Sequence, residues 1–358
     1  MDARKQKVVV GMSGGVDSSV AAALLVEQSY DVVGMMLRLW SDAGKEDSNR
    51  CCTPDAMAQA RRVAAQLGIP FYTVDAREVF HEVVVGAFTA GYQAGITPNP
   101  CLRCNAFIRW GFLLERARAV GADFFATGHY ARLRRESDGQ VRLLRGADLA
   151  KDQSYVLSVL SQAQLGQTLL PVGEYTKEEV RRLARGLRLA PADRPDSQDL
   201  CFLAGGDYRA FLQAHAPEGF RPGNMVNRRG EVLGRHAGLA NYTIGQRKGL
   251  GLASAEALYV VEKRIADNVV VVGTQAELGR NVLTAGSVNW ICRPDGDGPF
   301  SAQVKIRYKA REVQGLVTPL GHDRLRVEFP ENLRDITPGQ GAVLYNGDMC
   351  IASGIIEE

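Results

Sequence analysis

Apolar residues along this 358-residue chain follow two rhythms that meet near residue 205. In the first stretch, short continuous β-branched runs alternate with longer segments whose apolar residues recur at helical spacing. Val8 to Val10 suits a strand buried on both faces of a parallel sheet, and the alanine- and leucine-rich run from about 17 to 28 suits a helix. The apolar stretch Val32 to Leu39 follows, then a helix over 55–68, IPFYTV as a strand, helices over 75–90 and 106–120, and DFFATGHY (123–130) as a strand running into a loop. That alternation predicts a doubly wound parallel sheet of the α/β class. Beyond about 205 the segments become short, strand-like and punctuated by turns, with a break at GTQAELGRN (273–281). We therefore expect an α/β domain over 1–205, a small β-rich domain over 206–280 and a C-terminal β-barrel over 281–358.

Composition narrows the class without naming a partner. A hydrophobic content of 46% is ample for real cores, and the length predicts two or three domains. The charged start MDARKQK precedes only three apolar residues, and no run approaches the ~20 apolar residues of a membrane span. A cytoplasmic protein with no membrane partner is expected. Seven cysteines at irregular spacing do not form a secreted disulfide framework. A net charge of +3 makes no strong case for a polyanion. Local basic groups at 227–236, 245–251 and 305–311, the last with Tyr308, read equally as solvated strand faces or as RNA contacts.

Chemistry concentrates first in VVVGMSGGVDSSVAAALL (8–25). Gly11, Gly14 and Gly15 form a tight loop between strand and helix, and the helix start offers unpaired N–H groups to an anion such as phosphate. The Gly-Lys-Ser/Thr ending of a Walker loop is absent, and the glycine spacing is not that of a dinucleotide loop. Asp17 beside a phosphate implies either Mg2+ bound with the nucleotide or a helix cap. The pattern SGGVDSS resembles the pyrophosphate loop of ATP pyrophosphatases, which cut ATP between its α and β phosphates. Ligands in such sheets sit at strand C-terminal ends, where this loop, the segment after Leu37 and the Thr127-Gly128-His129 turn are expected to converge.

The second signal is ITPNPCLRCNAF (96–107), whose prolines and asparagines predict an extended loop outside any regular element. Its Cys101-x-x-Cys104 pair reads, alone, as half a zinc site, a redox pair, two iron–sulfur ligands or coincidence; no second CxxC completes a four-cysteine zinc site. Cys201 lies in another polar stretch, DRPDSQDLCFLAGGDY (193–208), whereas Cys51, Cys52, Cys292 and Cys350 read as inert.

In combination, GMSGGVDSS, TPNPCxxCN, ATGHYAR, KDQSY, DSQDLCF, the run GNMVNRRGEVLGRHAGLANYTIGQRKGLG and KIRY resemble the tRNA-specific 2-thiouridylases over nearly the whole chain. The resemblance implies an adenine nucleotide alpha hydrolase-like first domain and replacement of the C2 oxygen of the wobble uridine by sulfur. ATP would adenylate that oxygen and make it a good leaving group. A cysteine persulfide would then deliver sulfur, and a second cysteine would release it, leaving an internal disulfide. Residue by residue, it implies that Cys201 carries the persulfide and Cys104 is its partner and nucleophile. Gly11, Met12, Ser13, Gly14, Gly15, Val16, Asp17 and Ser18 would hold ATP, with Leu37 and Gly128 near adenine or ribose. Asn99, Pro100 and Cys101 would border a flipped target base, and His129, Lys151, Asp152, Gln153, Arg307, Tyr308 and Gln340 would meet tRNA at its anticodon stem-loop. For His129, a satisfied loop histidine is an equal reading. The implied partners are tRNA and a sulfur donor, either a cysteine desulfurase or a relay carrier.

Departures from the family pattern sharpen the alternatives. Cys101 stands where an acidic residue is frequent, which leaves the base role of that carboxylate unassigned. Leu37 stands where methionine is usual, and Ala106, Arg109 and Trp110 replace lysines and a phenylalanine. Cys101, Cys104 and Cys201 together offer three ligands to a [4Fe-4S] cluster, a second route for the same reaction. A more distant alternative is an ATP-dependent amidating ligase, whose chemistry needs neither paired cysteines nor an RNA-binding tail.

Overall fold

The computed structural model describes residues 4–42, 53–192, 200–203, 206–296 and 298–357; Cys51, Cys52 and the whole 193–199 stretch before Cys201 lie outside them. The chain forms two compact units. One comprises Met1–Val84, Cys101–Gly205 and Asp348–Cys350, and the other Val85–Pro100, Gly206–Gly347 and Ile351–Glu358.

In the first unit, β1 (Lys7–Gly11), β2 (Asp31–Arg38), β3 (Phe71–Asp75), β4 (Phe124–Thr127), a hairpin of β5 (Ala131–Arg135) and β6 (Val141–Arg145), and the short β7 (Thr168–Leu169) account for the strands. β1, β2, β3, β4 and β7 make a parallel sheet in the order β3-β2-β1-β4-β7. Val8, Val9 and Val10 are fully buried, as a central strand covered on both faces requires. Strand order reverses between β1 and β4, so the loops leaving their C-terminal ends face one crevice. Helix α1 (Val16–Glu27) runs from the first of those loops. It is buried on every side from Val20 to Leu25, because it packs on the sheet and on the helix Lys177–Gly186; three consecutive alanines keep its surface low enough for both contacts. Helix α2 (Pro54–Gln66) starts on Thr53, whose hydroxyl accepts from Ala56 N–H, with proline in the first turn where its missing N–H costs nothing.

The second unit holds two β structures. β8 (Gly223–Val226), β9 (Val232–His236), β10 (Tyr259–Arg264) and β11 (Val269–Gly273) form a four-stranded sheet in the order β10-β11-β8-β9, cored by Met225, Val260, Val270 and Val272. β12 (Arg280–Trp290), β13 (Phe300–Lys305), β14 (Val313–Pro319), β15 (Leu325–Leu333), β16 (Gly341–Asn346) and β17 (Met349–Ile356) follow in the order β12-β15-β14-β13-β16-β17, and β12 pairs with β17 to close a six-stranded barrel. Leu283, Val304, Val327, Leu344 and Ile351 fill its interior.

Two expectations are corrected. The segment 96–107 is not extended throughout: Pro100–Arg103 is helical and passes into a π-type helix, Cys104–Leu113. Pro100 opens it for the reason that Pro54 opens α2, so a proline read as a loop marker is a helix start. Tyr208–His215 is a helix in a region read as strands and turns. Asp207 caps it by accepting from Arg209 N–H, and Phe211 and Leu212 on one face are buried. Among the described residues no helix is long and apolar enough to cross a membrane.

Candidate active site

The loop after β1 is fixed by backbone contacts. Gly14 adopts φ +72°, and a Cβ there would stand 2.9 Å from Ala56 Cα in the first turn of α2. Gly128, after β4, lies against the start of α1: its Cβ would be 2.5 Å from Asp17 C and 2.6 Å from Ser18 N. The two loops of the switch point therefore touch backbone to backbone. Gly15 is the N-cap of α1, and no side chain caps the helix there. The hydroxyls of Ser18 and Ser19 donate to Gly15 O at 3.2 and 2.8 Å, and Ser13 N–H donates to Ser18 Oγ at 3.2 Å. A helix start with no side-chain acceptor suits a phosphate.

Asp17 is not the cap. Its carboxylate accepts from Lys177 Nζ at 2.7 and 2.9 Å and from Tyr130 Oη at 2.7 Å. Lys177 also stands 5.7 Å from the Tyr130 ring centroid, and its side chain is only 12% exposed. Lys177 opens a helix through the capping box of Thr176 and Glu179, and its N–H donates to Asp148 Oδ2 at 3.0 Å. The capping box was available to predict that helix. Nothing in the sequence marks a lysine 160 positions from Asp17 as its partner. With its carboxylate engaged by a cation and a phenol, Asp17 does not by itself form a divalent-ion site. Among the described residues, no three His, Cys, Asp or Glu side chains gather to hold a metal ion. The residues present thus fit neither a preassembled Mg2+ site nor a [4Fe-4S] site on Cys101, Cys104 and Cys201.

The remaining residues expected around nucleotide and RNA in this unit are held largely by the protein itself. His129 Nδ1 is 2.8 Å from Thr127 Oγ1, and its ring lies 5.5 Å from Trp110. The residue as a whole is half-buried, and desolvation of the ring first, with the Arg109 guanidinium second, pushes its pKa down to about 3. His129 is therefore neutral at physiological pH. Gln153 brackets Tyr130, accepting from Tyr130 N–H through Oε1 at 3.0 Å and donating its own N–H to Tyr130 O at 2.7 Å. Asp152 is buried and accepts from Gly146 N–H, Ser154 N–H and Ser154 Oγ. Both side chains, expected to face tRNA, also satisfy nearby donors of the protein itself, as buried polar backbone requires. Leu37 pairs in register with Val74 on β3. Beyond the ends of these strands lies a cavity of about 880 Å³ whose lining includes Arg38, Trp40, Met57, Phe112 and Arg116.

Both thiol-bearing segments attach to the helical stretch Arg77–Phe80 and the π-type turn that continues it, His81–Gly86. Arg103 Nε donates to Val83 O at 2.6 Å, which sets the residue before Cys104. Phe202, next to Cys201 in the turn Cys201–Leu203, packs edge-on against Phe80 at 6.1 Å. Asn105, buried beside Cys104, donates to Val156 O at 3.0 Å. Cys101 is exposed and Cys104 and Cys201 are half-buried; all three stand as thiols rather than in disulfides. The π-type winding at Cys104 is itself of a kind that recurs at functional sites.

In the second unit, Asn99 is half-buried and Pro100 buried. Tyr308 lies 6.0 Å from Lys305 Nζ. Arg307 Nη2 donates to Thr337 Oγ1 and, at 3.4 Å, to Ile244 O, and its Nε is buried without a partner. Gln340 Nε2 donates to Thr97 O at 2.8 Å. These bonds of Arg307 and Gln340 run to groups of the same unit.

A glycine-built anion loop at the switch point of a parallel sheet, with thiols on neighbouring segments, defines a nucleotide-binding enzyme domain of the HUP class. Family profiles agree: residues 6–205 match the "tRNA methyl transferase HUP domain", 209–274 the "tRNA methyl transferase PRC-barrel domain" and 280–356 the "Aminomethyltransferase beta-barrel domain". The relatives narrow this further. A protein of Desulfitobacterium hafniense named tRNA-specific 2-thiouridylase MnmA is 46% identical over 98% of this chain and 98% of its own. One of the same name from Carboxydothermus hydrogenoformans is 47% identical over 99% of this chain and 98% of its own. The chain belongs to the tRNA-specific 2-thiouridylase family.

Proposed function

We propose that this protein is an ATP-dependent tRNA uridine 2-sulfurtransferase of the cytoplasm, and that its chemistry is divided between the loop after β1 and the two thiols. The reading rests on one conjunction: a chain aligned end to end with 2-thiouridylases combines an anion-binding loop at the switch point with two thiols anchored on one helical stretch.

Gly11 to Ser18 take the phosphates of ATP, with Leu37 and Gly128 at its nucleoside. The C2 oxygen of the wobble uridine attacks the α phosphorus and pyrophosphate leaves. Cys201, loaded by a sulfur donor of the desulfurase or relay type, carries a persulfide. Its terminal sulfur attacks C2 and expels AMP, leaving the base joined to Cys201 through two sulfurs. The Cys104 thiolate then attacks the Cys201 sulfur, freeing 2-thiouridine and forming a Cys104–Cys201 disulfide, which a dithiol reductant resets with two electrons. Asn99, Pro100 and Cys101 border the extruded base. The first unit, residues 1–205 in the main, carries the chemistry; 206–280 and the barrel over 281–358 serve RNA binding, with Tyr308 and its basic neighbours on the barrel and Lys151 on the first unit.

Purified protein supplied with tRNA transcript, ATP and a persulfide donor is expected to release pyrophosphate and yield 2-thiouridine by nucleoside mass spectrometry. Cys201→Ser and Cys104→Ser should each keep pyrophosphate release while losing the thionucleoside by at least about 100-fold. Pyrophosphate release without any 2-thiouridine from the wild-type protein would overturn the assignment. Full activity of the Cys201→Ser variant would overturn the persulfide route.

A further inference from the structure

The segment that leads into the cysteine helix is gripped from behind. Thr97 lies two residues before Asn99, and both of its backbone polar groups bond to one turn of the barrel. Its N–H donates to Pro338 O at 2.9 Å and its carbonyl accepts from Gln340 Nε2 at 2.8 Å. Gly339 sits at the contact with φ +92°, and a Cβ there would stand 2.9 Å from Thr97 C and O. Ahead of Thr97, a Cβ on Gly91 would meet Pro98 Cγ at 2.8 Å, and one on Gly95, at φ +70°, would run into Ile265. Three glycines therefore let the strap 91–98 lie flush on its neighbours.

The barrel turn is in turn fixed from the other side. Thr337 Oγ1 donates to Asp335 O at 3.0 Å and accepts from Arg307 Nη2. Arg307 keeps this place although its Nε is buried and unsatisfied, an arrangement that carries the desolvation cost of an unmade hydrogen bond. A surface arginine free to seek solvent would avoid that cost; one required to brace a turn would not.

We propose that the turn 335–340 is a positioning clamp for sulfur transfer: Arg307, Thr337 and Gln340 set the course of Thr97 to Pro100, and so the start of the helix on which Cys101 and Cys104 stand. The inference rests on the thiolation reading above. It gives Arg307 and Gln340 work through the chain, distinct from direct contact with RNA. Displacements of about an ångström at a reacting group are enough to lower turnover strongly without loss of substrate binding.

Thr337→Val keeps the shape of the residue and removes both hydrogen bonds, whereas Thr337→Ser keeps them. Without tRNA, the valine variant is expected to exchange the Thr97 amide and to alkylate Cys104 with iodoacetamide several-fold faster than wild type. With tRNA, its kcat should fall about tenfold while KM for tRNA stays within about twofold. The serine variant should restore all of these. Gln340→Ala, which cuts the other bond, should repeat the pattern and serves should the valine variant not fold. A raised KM with unchanged alkylation and exchange, or wild-type values throughout, would overturn the clamp. The exchange and alkylation measurements need no RNA, so they report on the clamp even if the wild-type protein formed no 2-thiouridine.

Discussion

The loop Gly11–Ser18 and the two thiol-bearing segments lie in the same unit yet are held in different ways. From Met12 to Ser19 every residue is buried or half-buried. Gly14 rests on the first turn of α2, Gly128 presses on the backbone of Asp17 and Ser18, and Asp17 is tied to Lys177 and Tyr130. The thiol-bearing segments are held through neighbours of the thiols: Cys101 is exposed, Cys104 begins a π-type helix between Arg103 and Asn105, which bond to Val83 O and Val156 O, and Cys201 sits in a three-residue turn whose Phe202 packs on Phe80. The contrast follows from what each must do. Developing charge on phosphate is met best by donors already in place, because donors that reorient during the reaction stabilise it less. A sulfur carrier must instead be reached by a donor, then by a base, then by a second thiol, which demands access.

That comparison can be broken most sharply at Gly128. Gly128→Ala puts a methyl carbon 2.5 Å from the Asp17 backbone, where no flexible side chain can give way. Pyrophosphate release should drop by about 100-fold or more, while alkylation of Cys104 and Cys201 stays near wild type. Equal loss at both places would show that loop and thiols are one rigid unit after all.

A smaller effect is expected at Lys177. Lys177→Met leaves Asp17 half-buried beside Tyr130 without its cation, at a cost of about 2 kcal/mol. The melting temperature should fall by several degrees and pyrophosphate release by roughly tenfold, with Lys177→Arg recovering part of both. A stability loss with unaltered turnover would confine Lys177 to a structural role.

The last effect concerns pH. Because the folded-state pKa of His129, about 3, lies below the ordinary histidine value of 6.5, the unfolded chain binds more protons between these values. The contribution of neutral His129 is fully present above about pH 6.5 and is lost as pH falls toward 3. Melting curves from pH 7 to 4.5 should therefore decline more steeply for wild type than for His129→Asn, and parallel curves would count against a desolvated neutral ring.

Much of this architecture was legible because burial writes itself into residue type. A β-branched run with no polar break, such as Val8 to Val10, has few alternatives to a central parallel strand, and the change of rhythm past residue 205 marks the passage from α/β to β structure. Meeting of the Gly11–Ser18 loop with Gly128 was expected because both follow strand C-terminal ends of one parallel sheet. The failures share another cause. Pro100 favours a helix start as much as a turn, and only the contacts of Arg103 and Asn105 with distant carbonyls decide between them. Tyr208–His215 is too short for its periodicity to stand out against turn-rich surroundings. The ion pair of Lys177 and the inward bonds of Asp152, Gln153, Arg307 and Gln340 were not called either way, because they depend on partners far along the chain or on burial that local composition does not encode.

The winding of Cys104–Leu113 carries a consequence for how this enzyme tolerates changes in length. A π-type stretch is underwound by comparison with its α-helical flanks, in effect housing a surplus residue. Deleting one position between Ala106 and Leu113 would let the stretch relax to ordinary α geometry, an outcome milder for folding than a deletion in α1. Because the surplus is taken up inside the stretch, the same deletion would leave Cys104 close to its present direction, whereas a deletion within α1 would turn the residues on one side of it by about 100° around the helix axis. A shortened protein of this kind would keep both its shape and the aim of its thiol.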